Sequence, residues 1–270
     1  MRLLERTLFV KFTTDKDIVA AGGIVEIVDA VERGLGLRWQ TIQDLVSVRS
    51  RAVGWSAARQ ELSQQWLQGG LMQRVRNVWR APTAVGGEAW MEIAALNHPY
   101  SGTLMTSMEL RIPEQMVAAR EGVDAVVEVA RWCMATFDPL YLHAHLTDDH
   151  AIQNCLDEGM LRLGFGVDAA TLDEDRPGRE VSRGTFRYAS CWLTGMGVPL
   201  LDRTDELDRG ALPGDVEPFG DAVLVRLYDD PACPDEPAAR EAQRALRKVM
   251  RWEELARAER WTSGFWQRRG

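Results

Sequence analysis

The stretch from Thr103 to Asp149 constrains the fold most, because its hydrophobic period changes twice along the chain. Apolar and polar residues alternate over 104–111, apolar residues recur at helical spacing over 115–137, and alternation returns over 140–146. A period of two residues is typical of a strand, and a period of 3.6 is typical of a helix. The stretch is therefore predicted to be a strand, a long helix and a strand, and such an apolar helix needs a sheet to pack on.

Both patterns recur in the rest of the chain. Strands are predicted over residues 6–13, 88–96, 186–193 and 222–228, with a strand favoured over 37–48; helices are predicted over 17–33, 56–78, 151–163 and 237–258; long loops are predicted over 169–185 and 202–221. We therefore predict an α+β fold, with a mixed sheet that carries long helices, as a single globular unit of two similar-size parts. Residues 1–100 either form a layer of their own or add strands to the sheet of residues 101–270.

The last helix has a regular pattern of apolar and basic residues. Alanine and larger apolar residues such as Ala238, Ala242 and Leu246 are predicted to face inward, and Arg240 and Arg244 are predicted to face solvent.

Charge is distributed unevenly along the 270 residues. The chain has a net charge of −8, and residues 148–236 alone hold 8 basic and 20 acidic residues, a net charge of −12. A surface built from this segment would repel nucleic acid and attract a basic partner. No apolar run of membrane-spanning length and no signal peptide is recognisable, and the four scattered cysteines suit free thiols in a reducing cytoplasm.

The segment YLHAHLTDDH, residues 141–150, is the sharpest candidate for chemistry. On a strand His143 and His145 point the same way, so they could share a metal with an acidic neighbour such as Asp149. The HxHxDH pattern of metallo-β-lactamases is not matched, because Thr147 and Asp148 occupy the positions of its Asp and third His. A metal-dependent hydrolase therefore stays an alternative. Nucleophile-elbow, phosphate-loop and HExxH motifs are absent from the sequence, which favours a binding function.

Several segments resemble a family of bacterial proteins. The segments SMELRIPEQ, ATFDPLYLHAHLTDD, RYASCWLTGMGVPLL and GDAVLVRLYDDP, with the last helix, resemble immunity proteins of polymorphic-toxin and type VI secretion systems, in particular the immunity protein 52-like family. The resemblance extends over about residues 103–256. It implies a protein that is not an enzyme and that binds and blocks a cognate toxin, which for this family is a nuclease.

The resemblance and the acidic segment together give a functional prediction. We expect a cytoplasmic immunity protein that covers the basic cleft of a nuclease toxin with an acidic surface, without a cofactor or metal and without binding nucleic acid or membrane; homo-oligomerisation is left open. The predicted contact residues lie in the two acidic loops, with one tryptophan as an anchor: Asp173, Glu174, Asp175, Trp192, Asp202, Asp205, Glu206 and Asp208.

Overall fold

The computed structural model confirms the α+β class, with ten strands and several helices. It describes residues 6–18, 23–45, 51–59, 75–97, 104–147, 149, 190–202 and 209–251. The chain forms two compact units. The first unit is Thr7–Leu142, and the second combines Met1–Arg6 with His143–Gly270. The strands on either side of residue 100 pair with each other.

The first unit contains an antiparallel sheet of six strands. They are β1 (Thr7–Thr14), β2 (Thr41–Asp44), β3 (Val53–Gly54), β4 (Val75–Pro82), β5 (Glu88–Asn97) and β6 (Leu104–Pro113). Their order is β3-β2-β4-β5-β6-β1, and every neighbouring pair is antiparallel. The strand predicted before the long helix is β6, and its two neighbours are β5 and β1.

Two helices of the first unit pack against each other and cover one face of this sheet. They are α1 (Gly23–Leu35) and α2 (Arg120–Phe137). Phe12 of β1 stacks on Phe137 of α2, with ring centroids 5.6 Å apart, which fixes the side of β1 that faces the helices. A Cβ atom at Gly34 would lie 2.7 Å from a methyl carbon of Val129, so this glycine permits the close approach of α1 to α2.

The predicted helix from Gln115 to Phe137 is interrupted near its start. Glu114–Val117 form a 3₁₀ turn, and α2 begins only at Arg120. A Cβ atom at Gly122 would lie 1.7 Å from the carbonyl oxygen of Met116, so the reversal between the two segments requires a glycine.

The predicted helix over 56–78 is wrong for its last part. Residues 55–59 are helical and 60–74 lie outside the described residues, but Val75–Pro82 form β4 between β2 and β5. Trp79 is fully buried there, and its ring meets Trp55 edge to face at 5.8 Å. The spacing of Leu71, Val75 and Trp79 is typical of a helix. Residues 75–82 nevertheless form a strand, because they pair with β2 on one side and β5 on the other.

The described part of the second unit holds most of one strand, β7, with three further strands and two helices. They are β7 (Tyr141–Leu146), β8 (Leu193–Met196), α3 (Val198–Leu201), β9 (Asp215–Phe219), β10 (Ala222–Arg226) and α4 (Pro237–Val249), with a 3₁₀ turn at Arg209–Ala211. The strand order is β7-β8-β10-β9, and β10 is antiparallel to both β8 and β9. The boundary between the units falls within β7, whose six residues are all buried.

Two predictions for the second unit are corrected. Of the strand expected over 186–193, residues 186–189 lie outside the described residues; the strand found there is Leu193–Met196, and it includes Gly195, which was expected to break it. The loop expected over 202–221 contains β9, which pairs with β10. The helix predicted over 237–258 is confirmed for Pro237–Val249. The helix predicted over 151–163 and the loop predicted over 169–185 lie outside the described residues. No helix in the described ranges is long and apolar enough to cross a membrane.

Helix α4 is rotated relative to the prediction. Its buried positions are Ala239, Gln243 and Leu246, followed by Met250, while Ala238 is exposed. The rotation brings Arg240 to the edge of the inward face, where only 15% of its side chain is exposed. The inward face of α4, which was predicted to be apolar, therefore buries the polar side chain of Gln243 and most of the side chain of Arg240.

Candidate partner-binding surface

The two histidines singled out in the sequence lie next to each other in the interior of the second unit. His143 and His145 are 3% and 1% exposed, and their ring centroids are 5.4 Å apart. Their positions two residues apart on β7 place them on one face of the strand, as predicted. Asp149, three residues after the end of β7, is fully buried.

Both carboxylate oxygens of Asp149 accept hydrogen bonds from α4. Arg240 Nη1 donates to one oxygen at 2.5 Å, and Gln243 Nε2 donates to the other at 3.1 Å. Arg240 also donates to Gln243 Oε1 at 2.8 Å and pairs with Asp235, and Gln243 Nε2 lies 3.4 Å from the Tyr228 hydroxyl. We call these five residues the Asp149 network. It attaches α4 to the segment that follows β7.

The alternative metal site of His143, His145 and Asp149 stays a prediction. Both oxygens of its carboxylate ligand, Asp149, accept hydrogen bonds, one from Arg240 and one from Gln243. Within the described residues, no group of three His, Cys, Asp or Glu side chains is arranged to hold a metal ion. The sequence could not show this, because Arg240 follows Asp149 by 91 positions.

Burial and the charge of Asp149 shift the pKa values of two residues in the Asp149 network. Burial lowers the pKa of Arg240, but the charge of Asp149 and hydrogen bonds to Asp235 and Asp149 outweigh it, so the pKa is raised overall. Burial, together with the nearby charge of Asp149, holds the pKa of Tyr228 well above its ordinary value. The guanidinium thus stays charged and the phenol stays neutral across the physiological range.

Trp192, predicted to anchor a partner, belongs to the core of its unit. Its side chain is fully buried, and its indole N–H donates to the carbonyl oxygen of Tyr228 at 2.8 Å. Its own carbonyl accepts the N–H of Leu227 at 2.9 Å. A side chain with no exposed area has no surface to offer a partner, so we assign Trp192 to positioning the chain after β10.

The predicted acidic contact residues are only partly described. Asp202 is exposed at the end of α3, where its N–H donates to the carbonyl oxygen of Val198 at 2.8 Å. The other six lie outside the described residues: Asp173, Glu174, Asp175, Asp205, Glu206 and Asp208.

Further exposed carboxylates, which the sequence reading did not single out, lie on β9, in the turn from β9 to β10 and on the connection from β10 to α4. We call them the acidic surface, and they are Asp215, Asp221, Asp229, Asp230, Asp235 and Glu236. Arg226 joins the two parts, since its Nη2 atom lies 3.3 Å from a carboxylate oxygen of Asp215 and 3.8 Å from one of Asp229. The sequence signal that could have pointed to these carboxylates is the Asp229-Asp230-Pro231 turn, which was recognised as the end of a strand.

The acidic surface is open to a cationic partner. The side chains of Asp215 and Asp229 are 67% and 88% exposed, so their ion pairs with Arg226 are solvated. Solvated ion pairs contribute at most about 1 kcal/mol each, which leaves these carboxylates able to change partners at little cost. β9 is also the last strand in its order, so its outer edge carries part of the acidic surface.

Comparison with known proteins gives one informative similarity. The fold is similar to that of the Pseudomonas aeruginosa T6SS protein PA0821, with a TM-score of 0.59 and 14% sequence identity. The match covers 93% of this chain and 74% of that one. At this level of identity the similarity concerns the fold. No family model matches the chain, and no curated protein matches it.

Proposed function

We propose that this protein is a type VI secretion immunity protein, which binds a cognate toxin and blocks its active site. The observation that carries the proposal is the similarity of fold to a T6SS protein over 93% of the chain. The sequence segments that resemble immunity proteins, within residues 103–256, point to the same class. In this proposal the chain acts by binding, has no catalytic role, and works in the cytoplasm.

The acidic surface supports a basic partner. Residues 148–236 have a net charge of −12, and the described carboxylates of this segment are mostly exposed. A nuclease must hold the phosphates of its substrate, so its cleft is basic. Carboxylates presented at the spacing of phosphates would occupy that cleft and exclude nucleic acid.

In this proposal the acidic charge also speeds association with the toxin. Complementary surface charge raises association rates by about 10-fold to 1,000-fold, and the gain falls as salt screens the charges. An immunity protein benefits from such a gain because it must reach the toxin before the toxin reaches its substrate. The proposed complex is therefore expected to form faster at low salt, with a smaller effect of salt on dissociation.

Removing charge from the acidic surface tests this assignment. The triple variant Asp215→Asn, Asp221→Asn, Asp229→Asn should bind the toxin encoded beside the gene with an association rate at least about tenfold lower than the unaltered chain. Stopped-flow mixing at low and high salt measures the rate. The variant should also show a weaker dependence of the rate on salt.

A matched control carries the same loss of charge in the first unit. Glu121, Asp124 and Glu128 are exposed on α2, and their conversion to Gln, Asn and Gln should leave the association rate within about twofold. Equal losses in the two triple variants would show that total charge matters and the acidic surface does not. If the unaltered chain does not bind the toxin, the proposed function is wrong.

A further inference from the structure

The sheet of the first unit has a second face, on the side opposite α2. Phe12 of β1 stacks on α2, so the neighbouring residues Phe9, Lys11 and Thr13 point to the other side. We call this side the outer face. An antiparallel sheet commonly leaves one face to solvent, and that face is then usually polar without a regular arrangement of charge.

The strand register arranges the outer face in two rows that run across five strands. The basic row consists, from β2 to β1, of Thr41, Arg80, Trp90, Arg111 and Phe9. The acidic row, two residues further along each strand, consists of Gln43, Val78, Glu92, Glu109 and Lys11. Residues two apart on a strand are separated by about 7 Å, so the rows lie side by side.

Arg111 is held rigidly within the basic row, between Trp90 and Phe9. Its guanidinium carbon lies 5.0 Å from the ring centroid of Trp90 and 5.5 Å from that of Phe9. Its Nε and Nη2 atoms donate to one oxygen of Glu109 at 3.1 Å and 2.7 Å. An arginine fixed between two aromatic rings loses little freedom on binding, and Trp and Arg are the residues most enriched at interface hot spots.

The charged groups of the outer face differ in depth. The side chains of Arg111 and Arg80 are 49% and 45% exposed, whereas those of Glu92 and Glu109 are 15% and 18% exposed. The arginines therefore project from the face, and the carboxylates form a lower row beside them. A partner surface that fits this relief needs projecting arginines that reach the carboxylates of the outer face. It also needs lower acidic groups that receive the arginines of the outer face.

The outer face of a second copy, related to the first by a two-fold axis, has this complementary relief. A two-fold axis lying in the face, parallel to the rows and midway between them, places the basic row of one molecule on the acidic row of another. Arg111 then faces Glu109 of the second copy. From this self-complementarity we infer that the outer face binds a second copy of this chain, forming a two-fold symmetric dimer.

Charge balance favours a second copy over a nucleic acid. The two rows hold three basic and two acidic side chains, so the face is close to neutral although the chain has a net charge of −8. Two copies can meet here without strong repulsion, whereas a phosphate backbone would lie against Glu92 and Glu109. Five strands about 4.8 Å apart and about eight residues long give roughly 600 Å² of planar area, close to the ~800 Å² that each partner buries in a typical stable complex.

Sedimentation equilibrium of the purified chain tests the inference. The unaltered chain should show a mass of twice 30.3 kDa at high micromolar concentration. Arg111→Glu puts a carboxylate against Glu109 of both copies and should weaken the dimer at least about tenfold. The exchange Arg111→Glu with Glu109→Arg restores the pattern within and between copies, so it should restore the dimer.

Controls separate loss of the dimer from loss of the fold. Arg120→Glu on α2 makes the same change of charge away from the outer face and should remain a dimer. If Arg111→Glu has an altered circular dichroism spectrum, Arg80→Glu, on the other side of Trp90 in the same row, takes its place. A monomeric unaltered chain, or a dimer that persists in the folded row variant, overturns the inference.

Discussion

The Asp149 network makes a strong prediction about stability. Asp149 has no exposed surface, and its charge is balanced by Arg240, which donates to it at 2.5 Å. Replacing Arg240 by Met leaves a buried carboxylate without its cation, which typically costs about 3–5 kcal/mol. Because domains of this kind have unfolding free energies of about 5–15 kcal/mol, the loss should be a large part of the total.

Urea unfolding followed by far-ultraviolet circular dichroism measures this loss. Arg244→Met is the matched control, because Arg244 lies one turn further along α4 and is exposed, and its change should stay within about 0.5 kcal/mol. Adding Asp149→Asn to Arg240→Met should recover part of the loss, since the neutral amide needs no cation. Equal midpoints for the two single arginine variants, or strictly additive losses in the double variant, would refute the structural role of the network.

Three further predictions concern packing and ionisation. Gly122→Ala should destabilise the fold, because its Cβ atom would lie 1.7 Å from the oxygen of Met116, whereas Gly54→Ala, with no atom within 4 Å, should change the urea midpoint little. Trp192→Phe removes the donor to a buried carbonyl and should lower the unfolding free energy by about 1–3 kcal/mol; an unchanged midpoint would contradict this. The pKa of Tyr228 is raised in the folded chain, so its contribution is complete below about pH 10 and should be lost above it, and Tyr228→Phe should reduce this alkaline loss in urea titrations between neutral and high pH.

Hydrophobic periodicity correctly predicted the strands and helices in which the buried positions follow the spacing of the apolar residues. The strands β1, β5, β6, β7 and β10 and the helix α2 follow the alternating or helical spacing of their apolar residues. The misassigned strand β4 shows the limit of this signal, because Asn77, Val78 and Trp79 are buried in succession and interrupt the alternation of a half-buried strand. β9 was hidden by its Asp, Glu and Pro residues, which are typical of a loop and also of an edge strand.

The interior of the second unit could not be predicted from the same signals. Arg240 and Gln243 are polar residues on a helix, and without knowledge of Asp149 the reasonable expectation is that they face solvent. His143 and His145 were correctly placed on one face of a strand, but their burial depends on the elements packed around β7. The partner-binding residues were predicted from composition alone, which indicates a charged segment and does not select positions within it.

Inhibition of the neighbouring toxin by the purified chain tests the central proposal most directly. The activity of the toxin should fall in proportion to added chain and reach zero near one equivalent, when both are well above the dissociation constant. The triple variant lacking Asp215, Asp221 and Asp229 carboxylates should require more protein or more time for the same effect. Full toxin activity in the presence of excess chain, or binding weaker than about 1 μM, would contradict the assignment as an immunity protein.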